Sequence, residues 1–374
     1  MADLSTCPPL TRASVIDAHA LIRPLIHRTP VLTNRTLTTL ASTPRDAASL
    51  TSTPWEGRTP ARPVLRLFFK CENLQRVGAF KARGAFHAVE RLKRDPSFIP
   101  SAGVATHSSG NHAAALALAA RESGLPAHIV MPSVSRPNKV AATKGYGANV
   151  VFSGSTAKER EETAAKVVAE TGARLVPPYD HPDIMLGQGT LGLELQEQAR
   201  ELIEGDASRE TKKGLDAILA PCGGGGMLSG VALSCEGTGI RVFGSEPSFE
   251  GADDARRGYE AGKRIESVKS LTVADGLRTP VGVHPWGVIY ERRLVSGMYA
   301  VSEEEIIAAT KLVLERCKLV IEPSAAVPLA VVLYNEDFRS MVEREAGPEG
   351  WDLGIVFSGG NIAVDGLASL FATS

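Results

Sequence analysis

The chain has 374 residues, 43 % of them hydrophobic and 22 % charged, enough for a sizeable core and for two domains or one large one. Its 41 basic and 42 acidic residues give a net charge of −1 with no strong segregation. That excludes the electrostatic footprint of a nucleic-acid or membrane-surface binder and leaves small molecules as the expected ligands.

The N-terminus lacks the basic start and apolar run of a secretory signal, and no stretch approaches about 18 uninterrupted apolar residues. The expected compartment is the cytoplasm. Cys7, Cys71, Cys222, Cys235 and Cys317 are scattered, with no C-x-x-C pair. They read as reduced, mostly buried thiols rather than a disulfide framework or a zinc knuckle.

In chain order, an N-terminal helical region is followed by residues 41–63, rich in Thr, Ser, Pro, Ala and Arg with little apolar periodicity. This stretch reads as an exposed, mobile insertion. A strand is predicted over 65–69 and a helix from Lys81, with Phe80, Ala85, Phe86, Val89 and Leu92 on one face. Strands over 103–107, 128–131, 149–152 and 174–176 then alternate with helices over 111–123, 135–144 and 156–171. A helix over 189–202 and a charged loop over 205–214 lead to an apolar strand at 216–221. Further strands are expected at 241–245 and 352–357, and a long helix at 303–319. Such alternation specifies an α/β protein built on parallel sheet.

Several short motifs carry chemistry. Lys81 opens a helix, so its amine can point into a cleft. A helix start and the neighbouring Arg83 are both expected to depress its pKa, although the same residue also reads as an ordinary solvated lysine. Gly223, Gly224, Gly225 and Gly226 lie between an apolar strand and a helix-like segment beginning at Met227, where freed N–H groups and the positive helix end can cradle a phosphate. A flexible linker is the alternative. No G-x-x-x-x-G-K-[ST] is present, and no acidic residue stands about 20 positions after a G-x-G-x-x-G, which disfavours nucleoside triphosphates and NAD.

The run Ser108-Ser109-Gly110-Asn111-His112 joins a strand to a helix. It can hold a carboxylate, or simply cap the helix. Glu246, Asp253 and Asp254 offer hard oxygen ligands for magnesium or calcium, or form a solvated acidic loop paired with Arg256 and Arg257. Ser358, after the last strand, can face a pyridine nitrogen. Lysine, tetraglycine and serine together resemble a pyridoxal phosphate site.

The ordered motifs Lys70-Cys71-Glu72-Asn73-Leu74-Gln75, Gly78 to Gly84, Thr106 to His112, Gly187-Gln188-Gly189, Pro221 to Met227, Glu246-Pro247-Ser248, Ala274-Asp275-Gly276, Ile321-Glu322-Pro323-Ser324 and Ser358-Gly359-Gly360-Asn361 resemble the fold-type II pyridoxal phosphate enzymes. The likeness is to the serine racemase and serine/threonine dehydratase branch. It spans about 28–365 apart from the insertion.

The resemblance implies a tryptophan synthase β-like α/β fold with two domains, each a mainly parallel sheet flanked by helices. Residues 1–100 and 181–374 would form the large cofactor domain and 101–180 the small one. Lys81 would be the Schiff-base lysine, with Phe80 packed on the cofactor ring. Asn111 would bond the ring hydroxyl, residues 223–226 with Met227 would hold the phosphate, and Ser358 would face the pyridine nitrogen. Ser108, Gly110, Asn111 and His112 would bind the substrate carboxylate.

Ser109 would be the second acid or base, opposite Lys81. Glu246, Asp254 and the Ala252 carbonyl would bind Mg2+, Ca2+ or Mn2+, although the stretch from Glu246 to Asp254 is two residues longer than the family pattern. Activation by ATP and feedback by isoleucine are not carried over. The implied activity is racemisation or dehydration of serine- and threonine-type substrates by a homodimer. A hydroxyaspartate dehydratase is the alternative, with Arg136 or Arg160 as the extra cation. A catalytically silent relative is the reading from another class.

Overall fold

The structure is a computed structural model that describes residues 6–108, 110–135, 137–206 and 214–372. Its ten strands are β1 (Val31–Leu32), β2 (Leu65–Cys71), β3 (Val104–His107), β4 (Ala127–Pro132), β5 (Asn149–Ser153), β6 (Arg174–Leu175), β7 (Ala217–Pro221), β8 (Arg241–Pro247), β9 (Gly297–Val301) and β10 (Trp351–Phe357). They form a six-stranded sheet in the order β1-β2-β10-β7-β8-β9 and a four-stranded sheet in the order β5-β4-β3-β6. Every pairing is parallel except β1 with β2. In β7 and β10 every residue is buried, as sheet covered by helices on both faces requires.

Local signals placed several helices. Thr156 and Glu159 close a capping box on helix Ala157–Thr171, which ends at the left-handed Gly172 (φ 71°). Ser302 and Glu305 do the same for helix Glu303–Leu312, but there the regular helix stops; a wider π turn, Val313–Cys317, completes the predicted stretch.

Helix Pro182–Glu204 starts seven residues before the sequence-based boundary. Pro182 sits in its first turn and the His181 ring accepts the Asp183 N–H at 3.1 Å. Gly187 and Gly189, which weaken the helical signal, are contact points. A Cβ at Gly187 would lie 2.7 Å from the Gly84 Cα, and one at Gly189 would lie 2.5 Å from the Gly230 carbonyl oxygen.

Residues 41–63 depart from the expected mobile insertion. Most of their surface is exposed, but Ala41, Leu50, Trp55 and Ala61 are buried. The buried Arg339 donates to the carbonyls of Ala41, Thr43 and Ala61, and Glu336 accepts the Ala61 N–H at 2.9 Å. The segment is a strap tied to helix Glu336–Ala346. Its polar composition hid four apolar anchors too irregularly spaced to give a periodic signal. Among the described residues no helix is long and apolar enough to cross a membrane.

Candidate active site

The loops that leave the carboxyl ends of β2, β3, β7 and β10 carry most of the residues singled out by sequence, as open parallel sheets dispose their ligand sites. From β2 the chain passes through Val77, a β-branched residue held at φ 56°, and Gly78 at φ 67°. The Phe80 N–H then donates to the Ser358 carbonyl at 3.0 Å, and Ala79 bridges to Gly359. The start of helix Lys81–Leu92 is thereby pinned to the loop after β10.

The Lys81 Nζ donates to the Pro178 carbonyl at 2.6 Å and lies 5.1 Å from the Phe80 ring centroid. Burial pulls its pKa down to about 8 against the opposing pull of Glu322. The direction agrees with the sequence reading, but burial rather than the charge of Arg83 is its cause. Arg83 faces the other side of the helix, fully buried, and binds Glu72 at 2.8 Å and Glu194 at 2.7 Å. Lys70 joins the same cluster through Glu194 at 2.7 Å and Gln198 at 2.8 Å.

Asn111 is held at both ends of its amide. Its Nδ2 donates to Glu322 Oε1 at 2.9 Å, and its Oδ1 accepts from Asn361 Nδ2 at 2.9 Å. Asn361 also donates to the Val77 carbonyl at 2.7 Å. Burial, reinforced by Asp275, pushes the Glu322 carboxyl up to about 7. Lys139 pairs with Asp275 at 2.9 Å, and its Nζ lies 3.7 Å from where a Cβ on Gly110 would stand.

Ser108 accepts the Gly110 N–H on its hydroxyl at 3.3 Å, and its own N–H reaches the Val130 carbonyl. The His112 ring is buried away from this loop, with Nε2 3.1 Å from the Val176 carbonyl. Burial, aided by the charge of Lys81, lowers its pKa to about 3, so the ring is neutral. Any role for His112 toward a carboxylate falls to its backbone N–H, which as a first-turn group lacks a helical partner. Ser109 and Arg136 lie outside the described residues.

The glycine run fits its surroundings with no room for side chains. A Cβ on Gly224 would stand 2.3 Å from the Tyr179 ring, one on Gly226 2.8 Å from the Tyr179 carbonyl oxygen, and one on Gly225 (φ 81°) 2.8 Å from Pro285. Helix Gly226–Cys235 begins here, with Met227 buried in its first turn. Tyr179 links the two halves of the site, because the preceding carbonyl, of Pro178, holds Lys81.

The acidic group divides in two. Asp253 pairs with Arg256 and Arg257 as the alternative reading expected, but it is buried rather than part of a solvated loop. Glu246 is fully buried and accepts the N–H groups of Ala255 at 3.0 Å and Arg256 at 2.7 Å. Asp254 accepts the Val281 N–H at 3.1 Å on Oδ2, while its buried Oδ1 has no hydrogen-bond partner. Burial and mutual repulsion raise Glu246 well above the carboxylate range, and burial raises Asp254 to about 6. Ala252 is buried beside them. Two buried carboxylates and one orphaned oxygen fit a hard divalent cation.

Sequence reasoning gave no role to Glu322, Asn361, Asp275, Lys139 or Tyr179. The first three stand inside motifs quoted for the resemblance and were legible as positions but not as partners. Lys139 and Tyr179 gave no signal.

The family model described as pyridoxal-phosphate dependent enzyme matches residues 52–347. The chain belongs to this family. As a pyridoxal-phosphate dependent enzyme it is 42 % identical over 363 residues to the serine racemase of Arabidopsis thaliana, covering 96 % of each chain. It is 39 % identical over 359 residues to the beta-hydroxyaspartate dehydratase of Paracoccus denitrificans, covering 96 % of this chain and 98 % of that one. The solved structure of maize serine racemase superposes with a TM-score of 0.80 at 36 % identity, covering 97 % of both chains. The arrangement of mainly parallel sheets flanked by helices is the fold-type II architecture.

The residues present fit pyridoxal phosphate. A half-buried lysine of lowered pKa, a helix N-terminus bared by packed glycines and a fixed amide at Asn111 converge through the Pro178–Tyr179 and Ser358–Asn361 segments.

Proposed function

We propose that this enzyme racemises serine- or threonine-type β-hydroxy amino acids, removes their β-hydroxyl to give a keto acid and ammonia, or does both. The observation that carries the reading is the Lys81 Nζ, lowered to about 8 and aimed at the Pro178 carbonyl beside the packed glycine run. Lys81, Phe80, Asn111, residues 223–226, Met227 and Ser358 would hold the cofactor, in a cleft flanked by 101–180 as a small domain. Bound pyridoxal phosphate supplies an aldehyde to receive the amino group and an electron-poor ring that acidifies the α C–H.

At pH 8 about half of a lysine with that pKa is neutral, so Lys81 Nζ can take the α-proton on its own face. Ser358 offers a neutral hydroxyl, which does not enforce a protonated pyridine as a carboxylate would, and β-elimination competes well. Asn111 spends one amide N–H on Glu322 and keeps the other for the ring hydroxyl. Ser108, Gly110, Asn111 and His112 would orient the substrate carboxylate through hydroxyl and backbone N–H groups, with Lys139 adding positive charge beside Gly110. Ser109 is proposed as the base on the opposite face; two opposed bases permit racemisation and attack on either enantiomer.

A second reading, hydroxyaspartate dehydration, is favoured by Arg160. This residue, half-buried on helix Ala157–Thr171, has a buried Nε without a hydrogen-bond partner, and its charge acts on His107 and Tyr179 at the cleft. A second substrate carboxylate would satisfy it. Glu246, Asp254 and the Ala252 carbonyl are proposed to bind Mg2+ or a similar ion, and the active form is proposed to be a homodimer.

Lys81→Ala tests the core of the reading. It is expected to abolish both the absorbance of lysine-bound cofactor and turnover. Full turnover by this variant would refute it, and a purified wild-type protein without cofactor absorbance would favour a silent relative.

A further inference from the structure

We propose that Arg83 is a positioning residue for Lys81: its fork to Glu72 locks the left-handed turn at Val77–Gly78 and thereby sets where the Lys81 amine stands. This assignment rests on the reading of Lys81 as the cofactor lysine. It gives the placing of that amine to a charged cluster on the opposite face of the helix.

The turn is strained. Val77 sits at φ 56° and ψ 14°, followed by Gly78 at φ 67°. Glycine adopts this region freely, but a β-branched residue there is an outlier that persists only where its surroundings over-determine it. The strained turn also reaches the far side of the cleft, because the Val77 carbonyl accepts Asn361 Nδ2 at 2.7 Å and Asn361 in turn holds Asn111 at 2.9 Å.

Two sets of contacts hold it. On the sheet side the Gly78 carbonyl accepts the Gly360 N–H at 2.9 Å, next to the Ala79–Gly359 bridge and the Phe80 bond to Ser358. On the helix side Arg83 ties the two ends of the stretch together across 11 positions, donating to Glu72 from Nε and Nη2 at 2.8 Å each. The other edge of the guanidinium donates to Glu194 at 2.9 and 2.7 Å and to the Thr190 hydroxyl at 3.2 Å. Thr29 fixes Glu72 at 2.5 Å, and the Gly84 N–H goes to Gln188 Oε1 at 3.0 Å. Arg83, Glu72 and Glu194 are all buried, so solvent does not screen the pairing.

Only arginine can make this clamp. Its planar fork grips two carboxylates at once, whereas a lysine ammonium carries the same charge on a single point. With the fork gone, Val77 is free to relax towards negative φ, and Lys81 moves with it. A displacement of about 1 Å at a reacting group costs roughly 100-fold in rate. Burial lowers the Lys81 amine to about 8, with Glu322 opposing and the neutral His112 ring adding no charge. Moving the amine out of its buried seat raises that value towards the ordinary 10.5.

The test compares full-length wild type, Arg83→Lys and Arg83→Lys with Val77→Asn. Asparagine tolerates the left-handed region, so it removes the strain without restoring the fork. Two readouts are taken: the pH dependence of the rate at which each apoprotein captures pyridoxal phosphate, with borohydride trapping on Lys81 mapped by mass spectrometry, and kcat and KM of the reconstituted enzymes. Arg83→Lys is expected to lower kcat by roughly 100-fold with KM changed less than about twofold, and to move the capture midpoint up by about half a pH unit or more. The double variant is expected to recover most of both changes, which a merely structural role for Arg83 would not allow. Thr29→Val, which removes only the hydroxyl fixing Glu72, should shift the midpoint in the same direction by less, and it keeps the test open should Arg83→Lys fail to fold. An unchanged midpoint in both Arg83→Lys and Thr29→Val, or a double variant no better than the single one, would overturn the positioning role while leaving Lys81 as the cofactor lysine. A wild type that is not trapped on Lys81 would remove that reading and this one together.

Discussion

Glu322→Gln should change how stability depends on pH. In the apoprotein the Glu322 carboxyl is 4 % exposed, and burial together with repulsion from Asp275 moves it from the ordinary 4.5 to about 7, against the pull of Lys139 and Asn111. At about 1.4 kcal/mol per pH unit, that rise corresponds to about 3 kcal/mol. The folded pKa is the higher one, so the protonated group's contribution is fully present below about pH 4.5 and is lost as pH rises through 7. Glutamine keeps an acceptor for Asn111 Nδ2 and never ionises. Urea unfolding of both apoproteins from pH 5 to 8 isolates the residue, because other titrating groups cancel in the difference. The variant is expected to gain about 2.5 kcal/mol on wild type across this range. A difference that does not vary with pH would refute the reasoning.

Three further outcomes are expected. Gly224→Ala places a Cβ 2.3 Å from the Tyr179 ring, and the resulting displacement should weaken cofactor retention in equilibrium dialysis while leaving the far-ultraviolet circular dichroism unchanged. Magnesium at about 100 times its dissociation constant should stabilise wild type by about 2.7 kcal/mol in thermal unfolding, and Asp254→Asn should gain none of this. Arg83→Met strands the buried Glu72 without its ion-pair partner and leaves Glu194 with Lys70, and should cost about 3–5 kcal/mol by urea unfolding.

The sheet architecture was legible because β7 and β10 are near-continuous apolar runs separated by helical periodicity. Lys81, the glycine run and Ser358 were legible because each punctuates such an element. Partnership across the chain was not. Glu322 meets Asn111 from 211 positions away, and nothing local distinguishes it from a first-turn carboxylate. Arg83 reads as a neighbour of the Lys81 amine, yet residues two apart on a helix point about 200° from one another, so sequence proximity conceals that they face opposite sides. His112 matched its motif, yet its ring turned into the core. The strap over 41–63 reads as disordered when its polar residues are counted and as anchored only when Arg339 is seen capping its carbonyls.

The most direct test of the central claim is chiral amino-acid analysis combined with keto-acid quantitation. Wild type and Ser109→Ala would each be incubated with L-serine, D-serine, L-threonine and the hydroxyaspartate isomers in the presence of magnesium. Wild type should yield the opposite enantiomer, keto acid, or both, and Ser109→Ala should lose racemisation and turnover of one enantiomer while sparing the other. A cofactor-loaded wild type that forms neither product from any of these substrates would contradict the account.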